Sequence, residues 1–390
     1  MYEVLTQILA IPNYKVVKIE ITQDHIILDI QSTLNGAKCP GCGTHCTDLH
    51  ENHPRIVRDL PISGKACYLR FVRRRFFCPH CRNPFSEPLE FVQEYRDYTN
   101  RYQAWIFQQV KENNIAAVMR SEGLTYDQIE SIFLFEAKNR IPANPFANLK
   151  RLGIDEIALR KGKKDFVLIL SNLDTGEVAD VIEKRTQEKL RKRLEQLTTQ
   201  ERAQIQEVAI DMWEPYATVC SELLPNAIIT VDRFHVAQAI NEELKRLKNQ
   251  EKKQHPEVLK GAHYAILKNQ NNLTDTQREN LHRVYEASSI LKMAHRLKEC
   301  LRHIFEISST KEKAMQRIQK WIRIAEHRNL FPEFRKTLSS WLDKIANYFC
   351  QRTTSSMVEG INNKVKLIKR RAFGFRNFEH FRLRVIAAFL

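Results

Sequence analysis

The order of apolar and polar positions changes character three times along this chain. Residues 14–32 (YKVVKIEITQDHIILDIQS) are rich in Val and Ile around a polar break at Thr22 to Asp24, which predicts a β-hairpin. A second β-rich run, KACYLRFVRRRFF, leads straight into Cys78, so residues 1–95 read as a small β domain. From Thr99 to Arg140 the spacing turns helical. Gly123 interrupts it, and Thr125 with Gln128 three residues later forms a capping box that starts a new helix. Three short helices fit residues 96–145, and Pro142 and Pro145 in NRIPANPFANLK mark a linker.

Residues 146–240 alternate strand-like runs (RLGIDEIAL, KDFVLILSN, EVADVIEK, EVAIDM, AIITVD) with amphipathic helices, one from Gln187 to Leu197 and one after Pro215. Strands in succession, then strands alternating with helices, predict an α/β domain on a mixed sheet. Residues 241–348 are charged, helical and free of strand signals. They read as a helical insertion, after which residues 349–390 return to the core. The fold class is multidomain α/β.

Composition narrows the partners. With 43% hydrophobic residues among 390, the chain buries a sizeable core; Lys and Arg outnumber Asp and Glu by 62 to 46, and the net +16 suits a polyanion or an acidic membrane surface. No apolar run reaches the ~18 residues that span a bilayer, and MYEVLTQILAIPNY carries Glu3 with no basic leader region, so a cytosolic protein without a membrane partner is expected.

Among nine cysteines, Cys39-Pro-Gly-Cys42 and Cys78-Pro-His-Cys81 place thiolate pairs on tight turns. Brought together by a hairpin across residues 43–77, they would give the tetrahedral sulfur site that Zn²⁺ prefers, a closed and structural one. His45, His50, His53 and His80 are alternative ligands. Cys46, Cys67, Cys220, Cys300 and Cys350 are expected as free thiols.

NNIAAVMRSEGLTYDQIESIFLFEAKNR has the spacing of a helix-turn-helix, with Gly123 at the turn and Ile129 and Ile132 facing inward. An ordinary helical hairpin fits equally. The exposed face of the second helix would carry Tyr126, Gln128, Glu130 and Lys138.

Asp155 lies in the first strand of the α/β domain and Asp211 where EVAI ends, so both reach one sheet edge. Glu359 lies in a later helix expected to pack on that sheet. Hard oxygen ligands of this kind hold Mg²⁺ or Mn²⁺ for displacement at phosphorus. Asp232 fits the same strand-end logic, although such an Asp also caps the following helix; Glu156 should face the opposite side of its strand from Asp155. His235 would orient an acid or a phosphate, or simply pack, and Trp213 would line the site or the core.

CPGC, CPHC, GIDEIALRKGK, VAIDMWEPY, LPNAIITVDRFHV and SSMVEGINNKVKLIKRRAFGFRNFEHFRLR, in this order, resemble the DDE transposases of bacterial insertion sequences, specifically the insertion-sequence L-three family. The resemblance spans nearly the whole chain. It implies a ribonuclease H-like catalytic core interrupted by the helical insertion, with Asp155, Asp211 and Glu359 as metal-binding acids. It also implies an N-terminal zinc-binding segment and a helix-turn-helix that recognise terminal inverted repeats. The chain ends at Leu390, shortly after the last motif, so no longer C-terminal tail is expected.

A transposase needs cations beside its acids. Lys364, Lys366, Lys369, Arg370 and Arg371, then Arg376, Arg382 and Arg384, supply them after Glu359, interleaved with Phe373, Phe375, Phe378 and Phe381, which fit core better than base stacking. Arg73 and Arg75 on one strand face, and Arg74 with Arg70 on the other, form a second candidate contact to double-stranded DNA. Synapsis of two element ends implies at least a dimer, acting on the nucleoid. Two rivals remain: a zinc and helix-turn-helix regulator lacking catalysis, and a ribonuclease H-like nuclease acting on other nucleic acids.

Overall fold

The polar break after Ile21 is where the chain first reverses. β1 (Tyr14–Ile21) and β2 (His25–Ser32) pair antiparallel around it, and the His25 amide donates to Thr22 Oγ1. A computed structural model describes residues 2–159, 165–352, 356–372, 374–375 and 377–390, and the chain forms two units, Met1–Arg140 and Ile141–Leu390.

In the first unit, α1 (Tyr2–Leu9) precedes the hairpin, and the short β3 (Ala37–Lys38) and β4 (His45–Cys46) follow it. β5 (Leu49–Ile62) and β6 (Lys65–Cys78) form a long antiparallel hairpin, closed by Ser63 and Gly64 at φ 50° and 78°. Positive φ at both turn residues matches the twist of the strands they join. β7 (Asn83–Ser86) adds to β6, giving the order β1-β2-β6-β5 with β2 parallel to β6. One sheet face buries Val16, Leu28, Val57, Leu69 and Phe71.

Three helices complete this unit: α2 (Asn100–Glu112), α3 (Ile115–Glu122) and α4 (Tyr126–Arg140). They are fastened to the sheet by buried charge. Arg58 of β5 stands 3.2 Å from Glu122 of α3, and the Tyr102 hydroxyl donates to the same carboxylate at 3.0 Å. Arg101 pairs with Asp59, which is almost fully buried. The β-rich segment and the helices therefore fall within one compact unit.

The second unit holds a five-stranded sheet: β8 (Arg151–Ala158), β9 (Phe166–Asn172), β10 (Val178–Glu183), β11 (Glu207–Ile210) and β12 (Ile228–Val231), in the order β10-β9-β8-β11-β12. β8 to β10 meander antiparallel, and β11 and β12 run parallel to β8. Alternation sorts the side chains onto two faces. Ile154, Leu168 and Leu170 face the larger core with α5 (Gln187–Glu195), α6 (Thr199–Gln204), α7 (Glu214–Leu223) and α8 (Arg233–Glu251) nearby in the chain. Ile157, Val167 and Ile169 face a second core.

Helices α9 (Pro256–Leu259), α10 (His263–Leu267), α11 (Asp275–Ala287), α12 (Ser289–Ile307), α13 (Lys311–His327), α14 (Pro332–Ser340), α15 (Leu342–Ala346) and α16 (Tyr348–Gln351) make up the rest of the predicted insertion. Then α17 (Ser356–Arg371) and α18 (Phe378–Ala387) return to the second face through Ile361, Val365, Phe381 and Val385. The segment around Pro142 and Pro145, expected as a linker, belongs to this unit: Phe146 is buried in the larger core and its carbonyl accepts from Gln204. A Cβ on Gly153 would lie 2.5 Å from Ser171 Oγ and 2.8 Å from Leu173 Cδ2, so these two side chains fill the space that a larger residue at 153 would need.

Candidate zinc centre and acidic site

Cys39 and Cys42 occupy the turn between β3 and β4, where the Cys39 amide donates to the Thr44 carbonyl and the Gly43 amide returns to the Cys39 carbonyl, each at 2.8 Å. Cys78 closes β6, and Cys81 follows on the turn into β7. The β5–β6 hairpin thus returns the second pair to the first. All four Sγ atoms lie within 4.8 Å of one another, with Cys39 to Cys81 at 3.9 Å and Cys42 to Cys78 at 3.5 Å. A zinc–sulfur bond of about 2.3 Å puts the edge of an ideal ZnS₄ tetrahedron near 3.8 Å, which those spacings bracket. The donors fit structural Zn²⁺, and His45, His50, His53 and His80 are not in the cluster. The other five cysteines are free thiols, as expected.

The predicted break at Gly123 is a left-handed C-cap on α3 at φ 63°. Thr125 and Gln128 form the expected capping box: the Thr125 amide donates to Gln128 Oε1, and the Gln128 amide to Thr125 Oγ1. Val118, Ile129, Ile132 and Phe133 are buried, leaving Tyr126 and Gln128 exposed at the start of α4, with the Tyr126 hydroxyl on Glu130.

Asp155 and Glu156 leave β8 on opposite faces. Glu156 turns toward α7, where it accepts from the Tyr216 hydroxyl at 2.8 Å and pairs with Arg185 at 2.6 Å. Asp155 turns the other way and accepts from the side-chain amide of Asn362 on α17. His235, in the first turn of α8, places Nε2 3.8 Å from Asp155 Oδ1. Asp211 follows β11, the parallel neighbour of β8. Burial, then the nearby Glu156 and Asp155 charges, push its carboxyl up to about 6 against the pull of His235 and Arg185. Its buried Oδ1 has no hydrogen-bond partner among the described residues.

Asp232 caps α8 by accepting from the Phe234 amide at 2.8 Å. Glu359 lies exposed in the first turn of α17, one helical turn before Asn362. The structure thus brings Asp155 and Asp211 within electrostatic reach and puts Glu359 on the helix that contacts Asp155. It does not gather the three into one ligand cluster; among the described residues the cysteine quartet is the only such group. Asn362 went unnoticed in the sequence. Its signal was there, since a polar residue three after Glu359 on a helix shares its face.

The basic residues divide. Arg74 is held between Glu87 and the Ser32 and Leu34 oxygens, Arg73 between the Glu87 carbonyl and Glu94, and Arg75 pairs with Glu51. Lys364 donates to the Ala388 carbonyl and Lys369 to that of Ala158, so both fasten α17 in place. Lys366, Arg370 and Arg371 are exposed; by helical spacing Lys366 and Arg370 continue the stripe that starts at Glu359. Arg382 pairs with buried Asp180. Phe375, Phe378 and Phe381 pack in the second core, whereas Phe373 and Arg376 lie outside the described residues. Trp213 packs edge-on against Tyr216 at 4.2 Å.

A β-framed Cys₄ site, a helix-turn-helix and a separate α/β unit with paired acids describe a modular DNA-processing protein. Comparison with known families agrees part by part. Residues 36–81 match the zinc-finger of transposase IS204/IS1001/IS1096/IS1165, residues 87–135 the helix-turn-helix domain of transposase family ISL3, and residues 152–385 the ISL3 transposase domain. The chain is 28% identical over 388 residues to the transposase for insertion sequence element IS1001 of Bordetella parapertussis, covering 96% of this chain and 95% of that protein. It is 26% identical over 355 residues to the transposase for insertion sequence element IS1557 of Mycobacterium tuberculosis, covering 83% and 79%. The chain belongs to the ISL3 family of transposases, and its helix-turn-helix marks it as DNA-binding. Among the described residues, no helix is long and apolar enough to cross a membrane.

Proposed function

We propose that this transposase binds the terminal inverted repeats of its insertion sequence and cuts and joins DNA strands at a site built from Asp155, Asp211 and Glu359. The observation that carries this is the placement of Asp155 in β8 and of Asp211 directly after its parallel neighbour β11, within electrostatic reach of each other, with the helix that bears Glu359 hydrogen-bonded to Asp155. The strand order, three antiparallel strands followed by two parallel ones, supports a ribonuclease H-like core.

Carboxylate oxygens, with a buried Asp211 Oδ1 that has no partner among the described residues, fit Mg²⁺ or Mn²⁺, which Asp155, Asp211 and Glu359 would hold. When bound, such ions supply the positive charge that favours attack and departure of oxygens in an in-line displacement at phosphorus. The chain's own residues do the rest. Asp155 and Asp211 present charge from a rigid sheet, His235 offsets part of it, and Lys366, Arg370 and Arg371 draw the phosphate backbone toward acids that would otherwise repel it. Tyr126 and Gln128 meet end DNA from α4, while Arg73 to Arg75 act chiefly by shaping the zinc-bearing sheet. Joining two ends requires at least two copies, working on the nucleoid.

Single substitutions test this reading. Asp211→Asn or Glu359→Gln should abolish divalent-metal-dependent cleavage of an oligonucleotide carrying the element end, with end binding by gel shift unchanged. Cleavage retained in either variant refutes that residue's assignment.

A further inference from the structure

Asn362 is intermediate in exposure, yet its amide oxygen is fully buried. Its Nδ2 donates to Asp155 Oδ2, while Oδ1 has no hydrogen-bond partner among the described residues. The amide's orientation is fixed by chemistry, since an ionised carboxylate only accepts and can receive nothing but the N–H side. The other oxygen of Asp155 accepts from the Glu156 backbone amide at 2.7 Å. The carboxylate is thus held from both sides, once by its own strand and once by α17. With Oδ1 buried and without a partner among the described residues, the bond from Nδ2 to Asp155 is the hydrogen bond that holds this amide in place.

We propose that Asn362 is a positioning residue for Asp155: it orients the carboxylate for a divalent cation and ties that orientation to the helix carrying Glu359. This rests on the carboxylate reading above. The position fits the role, because Asn362 follows Glu359 by three residues on one helix, while Lys369, two turns on, anchors the same helix to the Ala158 carbonyl at the end of β8. A partner that orients a ligating carboxylate typically contributes 10- to 100-fold in metal affinity.

The test uses the full zinc-loaded chain, Mn²⁺ as the probe, and two variants, Asn362→Leu and Asp155→Asn. Asn362→Leu keeps volume and helix character but removes the donor. Mn²⁺ binding is followed by electron paramagnetic resonance, and cleavage of the end oligonucleotide is followed against Mg²⁺ concentration. We expect Asn362→Leu to weaken Mn²⁺ binding by about 10-fold or more, to raise the Mg²⁺ needed for half-maximal cleavage in proportion, and to regain most of its rate at saturating Mg²⁺, with end binding and thermal melting unchanged. Wild-type Mn²⁺ affinity in Asn362→Leu, beside lost affinity in Asp155→Asn, overturns the role of Asn362 and leaves the carboxylate site standing. A rate loss of equal size at every Mg²⁺ concentration also overturns it, as a merely structural residue would behave so. Unchanged Mn²⁺ binding and cleavage in Asp155→Asn overturns the carboxylate reading itself.

Discussion

Replacing Asp211 by Asn should make the divalent-free protein more stable at neutral pH while removing its cleavage activity. The Asp211 carboxyl is pushed from its ordinary 3.8 up to about 6, first by burial and then by the charges of Glu156 and Asp155. A tenfold change in a proton equilibrium corresponds to about 1.4 kcal/mol, so the ionised carboxylate carries roughly 3 kcal/mol of unfavourable free energy in the folded state. Below about pH 4 the group is protonated in both folded and unfolded chains and costs nothing; between about 4 and 6 the cost develops; above about 6 it is fully present. Asn removes the charge and forfeits no bond at Oδ1, which has no partner among the described residues. Part of the gain is offset by burying an amide, leaving about 1–3 kcal/mol.

The assay is urea unfolding of wild type and Asp211→Asn with zinc retained and other divalents absent, at pH 7.5 and near pH 4. The variant should unfold at higher urea at pH 7.5, and that advantage should fall to zero or reverse near pH 4, where the charge cost is gone and only the offset from the buried amide remains. Added Mg²⁺ should stabilise wild type, by about 1.4 kcal/mol for each tenfold excess over its dissociation constant, and leave the variant unmoved. Equal stability of the two proteins at pH 7.5 would refute the reasoning, as would a difference of the same size at both pH values.

Further outcomes follow from the same structure. Glu122→Ala removes the buried partner of Arg58 and Tyr102 and should cost about 3–5 kcal/mol, read as a lower unfolding midpoint of the first unit. Cys78→Ser should release the zinc, one ion per chain by atomic absorption, and weaken binding to end DNA; full zinc content in the variant would contradict the four-sulfur site. Lys366→Ala and Arg370→Ala should each lower DNA affinity similarly on any sequence and reduce the slope of log affinity against log salt by about 1. Gly153→Ala should cost roughly 1–3 kcal/mol through its clash with Ser171 and Leu173, measurable by thermal melting.

Local pattern determined much of this protein. Cys-Pro-x-Cys turns, the Thr125–Gln128 capping box, the break at Gly123 and the run of strands from β8 to β12 are written in neighbouring residues, because turns, caps and alternation depend on chemistry within a few positions. That Asp155 and Glu156 leave β8 on opposite faces was legible for the same reason, as adjacent strand residues must face opposite ways. Tertiary structure decided what depends on distant partners. The strand-end Asp232 caps α8 through one carboxylate oxygen, a contact set by the direction of its side chain and not by its place in the strand. Arg74 and Lys369 proved internal fasteners, because a cation's partner depends on which carboxylate or carbonyl the fold brings near. The first 140 residues became one unit through Arg58 and Glu122, 64 positions apart and buried together. Asn362 reached Asp155 across 207 positions, a contact that no local pattern encodes.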